Sequence, residues 1–471
     1  VKNNFLSSHW KYLLILIVIG TSLRFYGLTF RELHFDEKAS IGCSVGIPIA
    51  GIMQVKTTSW EDLGLNPAEF SPKDFWKYNT LESVYKATLF DNGSIFYFTL
   101  LHFWVDSFGH KIITYRLLSV IFGLLAILST YLVALRLFES KRIAVISGLL
   151  LSLNPVHIYS SEFIRSHAMA CFIAMICTVL FLDLLKEKKT SVFLLYGTVC
   201  GAGMLSHYFF SYVIIGHIFF MALLVRDKQS WKHFILGGML AMFCFLFWML
   251  NGGLEGFKNL EVVNTQFRGF SDHWKEGDNP YYMPFTIRSF IGGVTQVLLS
   301  SSGNWLQLLG VSLSKLVILA VMFWGFVTYG VIRVKEKRKE FWILILIPLA
   351  YFVWAAVFSY NSNFTIYFQP VYALYIIPFV SILFAYLIDK LLVEWKSKSL
   401  YVVAAIQIGI IIVSIFANYT AFKKHEIDYE LEAKIIKSEV NEQHPLKFRS
   451  WEKAFLTNLY LKDMRLNEIL E

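Results

Sequence analysis

Leu23-Arg24-Phe25-Tyr26-Gly27-Leu28-Thr29-Phe30-Arg31-Glu32-Leu33-His34-Phe35-Asp36-Glu37-Lys38 closes the first long apolar run of the chain and opens its first polar loop. Two adjacent carboxylates lie there between basic residues, just past the point where a helix beginning near residue 11 has crossed a bilayer. Charge is scarce elsewhere. Only 16% of the 471 residues are charged and 56% are hydrophobic, against about 25% charged in an ordinary soluble domain. A chain so sparing of charge that gathers it at a membrane edge marks that edge as a place for chemistry.

Working outward from this stretch, apolar runs near the roughly 20 residues that cross a bilayer core recur at 11–30, 112–135, 142–160, 164–185, 191–206, 208–225, 233–251, 311–332, 341–358, 370–389 and 399–419. The pattern reads as an all-α polytopic membrane protein of about 11 transmembrane helices, within a range of 11–13. Basic residues set its orientation. Arg136, Lys141 and Arg142 share one short loop, Lys186, Lys188 and Lys189 a second, and Arg226, Lys228 and Lys232 a third. Lys335, Lys337 and Lys339 with Arg333 and Arg338 form the densest cluster. Eleven crossings put all of these on one side, which is then the cytoplasm. The segment 92–105 is apolar but too short for a span, so it is expected to dip in and return.

Residues 1–251 are thus expected to form an N-terminal transmembrane module whose first outer loop, 31–111, holds the charged stretch and two interfacial amphipathic segments, 37–55 and 72–89. A second long outer loop, 252–310, carries a re-entrant segment, because Gly292-Gly293 and 300–303 argue against one continuous span. Residues 311–419 supply the C-terminal spans, and 420–471 a small soluble tail on the outer side. The first run lacks a small-residue cleavage site and reads as an uncleaved anchor.

Composition excludes other classes. The net charge of +9 is explained by cytoplasmic loops, and no basic surface with stacking aromatics suggests nucleic acid. Cys43, Cys171, Cys177, Cys200 and Cys244 give no disulfide framework. There is no Gly-rich phosphate loop and no zinc spacing.

Asp36 and Glu37 lead the candidates for chemistry. Neighbours on a regular element point apart, so one would serve as base or metal ligand and the other would orient it or bind an acceptor. Apolar walls and few counter-charges would raise such a carboxyl toward the range of a general base; a solvated loop ion pair is the bland alternative. Asp91, before the dipping segment, could return to the level of Asp36 and share a divalent cation or a sugar hydroxyl with it, although Asp91-Asn92-Gly93 is also plain turn chemistry. The third group is Asn154-Pro155-Val156-His157-Ile158-Tyr159-Ser160-Ser161-Glu162-Phe163-Ile164-Arg165-Ser166-His167. On one helix Glu162 and Arg165 would share a face and pair, and Arg165 could instead fork onto a phosphate. His207 sits in the turn of an uncharged hairpin.

These residues resemble a known pattern. Leu23 to Leu28 followed by Phe35-Asp36-Glu37 is similar to the opening of bacterial membrane glycosyltransferases of the C fold class (GT-C), relatives of protein O-mannosyltransferases and of the aminoarabinose transferase, glycosyltransferase family 39-like. Ile95 to Trp104, Tyr115 to Gly123 and Asn154 to Ala168 continue the likeness, which covers roughly 20–225. Departures are Asp91-Asn92-Gly93-Ser94 where the family has His-Pro-Pro, Glu162-Phe163 where it has Gln-Glu, and Val371-Tyr372 where it often has Arg-Tyr. The resemblance implies an inverting transferase in a bacterial plasma membrane, moving a sugar from a polyprenyl-phosphate-linked donor to a protein, lipid or glycan acceptor outside. It implies Asp36 as base with Glu37 beside it, and Arg165, Arg24 and Arg288 on the donor phosphate. Asp91, Glu162, His157, His207 and Tyr159 are then substrate-binding candidates. A divalent cation at Asp36 and Asp91 is the one cofactor candidate among these residues. A lipid or sugar transporter or flippase, or a non-catalytic partner in envelope polysaccharide assembly, are the rivals; the transporter predicts ionisable groups within the spans and broken helices paired between two halves.

Overall fold

Apolar side chains on all sides of a helix, with no water to satisfy a broken backbone, leave the α-helix as the way across a membrane, and the chain is built accordingly. The structure is a computed structural model that describes residues 4–28, 33–47, 80–90, 94–258, 283–303, 312–334, 338–390 and 409–415, with Thr265 and Lys275 between them. In order, its helices are α1 (Asn4–Gly27), α2 (Phe35–Ser44), α3 (Leu81–Phe90), α4 (Ile95–Phe108), α5 (Ile112–Phe138), α6 (Lys141–Leu153), α7 (Pro155–Glu162), α8 (His167–Glu187), α9 (Thr190–Ser206), α10 (Ser211–Leu224), α11 (Lys228–Trp248), α12 (Ile287–Ser301), α13 (Leu313–Val334), α14 (Ile343–Ser362) and α15 (Ile377–Lys390). No strand occurs among the described residues.

Five of these helices are long and apolar enough to cross a membrane, or six if the bent pair α6 and α7 is one span. The expected runs at 191–206 and 208–225 are α9 and α10, and the turn expected between them forms at His207: its ring nitrogen accepts the backbone N–H of Phe209 and starts a 3-10 turn, Tyr208–Phe210. The run at 370–389 is likewise divided by a 3-10 turn at Leu374–Ile376 before α15 begins. The run at 399–419 lies mostly outside the described residues, as does the tail. At 1.5 Å per residue α4, with 14 residues, is too short to cross unaided.

The helices pack in a continuous series: α8 lies along α5 and α9, α9 along α11, α10 along α14, and α6 along α5 and α15. Their outward faces carry Leu14, Val18, Phe243, Phe247, Val321 and Met322, all exposed, as apolar tails require. Two local features bring the site together. Asn154 accepts the N–H groups of Val156 and His157, and Pro155 occupies the first helical position, so α7 starts afresh at 63° to α6. Its Nδ2 donates to the Ser300 carbonyl at 3.0 Å, anchoring the bend to α12. Against α5, α7 comes so close that a β-carbon on Gly123 would stand 2.2 Å from Ser161 Oγ. Only glycine permits that approach.

Of the expected interfacial segment at 37–55, residues 37–47 are described. Residues 37–47 are all buried, against α3 and α4, because Glu37 draws the start of α2 into the bundle. Of the segment at 72–89, residues 81–89 fall in α3. In the re-entrant region, Gly292-Gly293 stay helical within α12, which stops at Ser301 before Gly303 takes a positive φ.

Candidate active site

His34 begins the site. Its Nδ1 accepts from the Asp36 N–H at 3.2 Å, and Glu37 Oε2 accepts from the His34 N–H at 3.1 Å. This is a capping box with histidine in the usual place of serine. The box turns Glu37 inward. Arg116 of α5 donates to both its oxygens, Nε to Oε1 and Nη2 to Oε2 at 3.1 Å each, and the Ile164 N–H adds a contact to Oε1 at 3.3 Å. Arg116 Nη1 also donates to the Leu28 carbonyl at 2.8 Å. The pair is sealed, with side chains 1% and 0% exposed. Glu37 and Arg116 together therefore tie α2 to α5, to the residue after α1 and to the turn after α7.

Consecutive helical residues point about 100° apart, so fixing Glu37 inward aims Asp36 the other way. Its side chain is 44% exposed, and Oδ1 receives Arg165 Nη2 at 2.9 Å. His34 Nδ1 stands 3.6 Å from Oδ2. Burial pushes the Asp36 carboxyl up, but Arg165, with His34 and His167, outweighs it and holds the group below its ordinary value. The raised carboxyl expected from apolar walls is thus corrected: a cation that the sequence placed on Glu162 lies on Asp36 instead. The reason is local. Helix α7 ends at Glu162, and Phe163 is extended, so Glu162 and Arg165 are not one turn apart on a helix.

Beyond Arg165 the chain turns into α8 through Ser166, whose hydroxyl meets Ser94 Oγ at 2.8 Å at the start of α4. Buried His167 packs its ring 5.1 Å from that of His207 and 5.8 Å from Tyr372. His207 reaches Tyr375 at 5.9 Å. Among the described residues, His167 Nδ1 and Tyr375 Oη are buried with no hydrogen-bond partner, which leaves polar atoms available on this wall. Desolvation, with His167 and Arg165 nearby, holds His207 well below the usual imidazole range.

Asp36, Arg165 and His207 are thus brought to one place. Others are not. Glu37 is enclosed on Arg116, with both carboxylate oxygens accepting hydrogen bonds. Arg24 is fully buried, donating to the Gly20 carbonyl at 2.9 Å and contacting His157 Nδ1 at 2.6 Å, so both serve the packing of α1 on α7. Tyr159 is buried, stacked on Phe163 at 5.2 Å. Glu162 is buried in α7, and Arg288 is exposed on the first turn of α12. Asp91 lies outside the described residues, and among those described no three His, Cys, Asp or Glu side chains could hold a metal ion together. Arg116 and His167 lay within quoted stretches but were given no role, and Tyr375 was missed.

Comparison with known proteins agrees with the resemblance of the opening stretch. Residues 94–249 match the family model for dolichyl-phosphate-mannose-protein mannosyltransferase. No curated protein matches. The structure is similar to that of ArnT from Cupriavidus metallidurans bound to undecaprenyl phosphate, at TM-score 0.56 and 14% identity over 96% of this chain and 85% of that one. The apo form of the same protein gives 0.55 at 14% over 97% and 85%. The archaeal oligosaccharyltransferase AglB from Archaeoglobus fulgidus, in complex with an inhibitory peptide and a dolichol-phosphate, gives 0.50 at 14% over 97% and 64%. The fold is that of the GT-C membrane proteins.

Proposed function

We propose that this chain is an inverting glycosyltransferase, moving a hexose or pentose from a polyprenyl-phosphate-linked donor to an acceptor on the outer side of the membrane. The observation that carries the reading is a half-exposed carboxylate, Asp36, fixed by a buried clamp and facing a guanidinium beside a wall of buried histidine and tyrosine. The match of 94–249 to a lipid-phosphate-mannose transferase family supports it.

The acceptor hydroxyl attacks the anomeric carbon from the side opposite the phosphate. A new carbon–oxygen bond forms as the bond to the phosphate oxygen breaks, and Asp36 takes the hydroxyl proton, a contribution of roughly 10²–10⁴ in rate. The electron pair leaves with the polyprenyl phosphate, whose added charge Arg165 stabilises. Glu37 and Arg116 hold Asp36 in register throughout. His167, His207 and Tyr375 offer polar atoms to the sugar hydroxyls. A donor with a lipid tail arrives sideways between helices while a polar acceptor arrives from water, so a site at the outer edge suits both.

The test is transfer by the purified protein in lipid nanodiscs, given polyprenyl-phosphate donors carrying different radiolabelled sugars and a mixture of envelope acceptors. Label moving to acceptor together with release of polyprenyl phosphate is expected. Binding or flipping of the donor with its glycosidic bond intact would replace the enzyme with a transporter.

A further inference from the structure

Resting on the reading above, we propose that the Asp36–Arg165 ion pair is a latch that the donor's phosphate opens, so that the lipid-linked sugar binds first and its arrival unmasks the base. The two groups that the reaction needs apart are at present each other's ligand, Nη2 to Oδ1 at 2.9 Å. In that state Oδ1 is held by the guanidinium and not open to the acceptor's proton, and Arg165 Nη2 is held by Asp36 and not open to the phosphate. Both groups cannot be satisfied in their working roles while the pair is closed.

The surroundings allow the exchange. Arg165 stands on the short irregular turn between α7 and α8, not on a rigid helix, and its side chain is 21% exposed. Asp36 is fixed from behind, since its neighbour Glu37 is locked on Arg116, His34 N–H and Ile164 N–H. The arginine is therefore the partner that moves. Among the described residues, the charged or titratable groups near the pair include His34 on the α2 side, Tyr97 on α4, and His167, His207 and Tyr208 on the α8 and α10 side. The donor's phosphodiester presents two non-bridging oxygens sharing one negative charge, a forked contact for Arg165 in place of the single carboxylate oxygen it now holds. Once the guanidinium has swung to it, Asp36 loses its close counter-charge and gains an anionic neighbour, and both changes strengthen it as a base.

A latch makes Asp36 a competitor for Arg165, and that competition is measurable without turnover. Farnesyl monophosphate binding, followed by calorimetry in detergent, is compared in the wild type, Asp36→Asn, Arg165→Gln and the double variant. Asp36→Asn is expected to tighten binding roughly two- to fivefold, the worth of a partly exposed ion pair. In the Arg165→Gln background the same change should tighten binding clearly less, since only the repulsion between carboxylate and phosphate is then relieved. Unchanged or weaker binding in Asp36→Asn, with the wild type still binding, would overturn the latch and leave the transferase reading standing. Equal tightening in both backgrounds would also overturn it, because simple removal of a negative charge would then suffice. No binding by the wild type would remove both the latch and the donor assignment.

Discussion

Replacing Arg116 by Met tests how the site is held. Methionine keeps the length and apolar bulk of the side chain but deletes two charge-assisted bonds to Glu37 and one to the Leu28 carbonyl. Glu37 then keeps the backbone donors of His34 and Ile164 but loses its guanidinium. Because both side chains are sealed from solvent, the loss is not screened. Removing one partner of a buried pair costs about 3–5 kcal/mol, a large share of the roughly 5–15 kcal/mol that holds a domain together. Denaturant unfolding in detergent, read by tryptophan fluorescence, should show that loss. The double variant Arg116→Met with Glu37→Met should recover most of it, since an apolar pair of similar volume stands in for the ions. Transfer activity should stay low in both, because Asp36 is no longer aimed. A loss in Arg116→Met under about 1 kcal/mol, the size of a surface pair, would refute the clamp.

Three further outcomes follow from the geometry. Gly123→Ala drives a methyl into Ser161 and should destabilise by about 1–3 kcal/mol, with Ser161→Gly restoring much of it in the same unfolding assay. Asn154→Ala removes the cap of α7 and the link to Ser300, costing about 1–2 kcal/mol for the cap alone. His207 titrates lower in the folded chain than in the unfolded one, so the unfolded state takes up the proton first as the medium is acidified. Its contribution is complete above about pH 6.5 and is lost below it, at most about 1.4 kcal/mol per pH unit; His207→Gln should flatten that slope.

The helical fold was legible because membrane thickness fixes run length, and the charge stretch at 23–38 was legible because carboxylates are rare in such a chain. Asp36 and Arg165 were each readable singly. Their contact was not, since 129 residues separate them and the capping box that aims Asp36 depends on His34 acting as a side-chain acceptor. The same holds for Glu37, which looked reactive beside Asp36 until Arg116, 79 residues on, proved to enclose it. The turn at His207 was legible as a gap between two runs, whereas the 3-10 turn at Leu374–Ile376 was not, because an apolar run records length and not backbone breaks.

The most direct measurement is single-turnover sugar transfer by Asp36→Asn, from a polyprenyl-phosphate donor and at a donor concentration that saturates the variant. Loss of general-base help predicts a rate lower by roughly 10²–10⁴ in a protein that unfolds as the wild type does. A rate within tenfold of the wild type would show that another group takes the proton and that Asp36 is not the base.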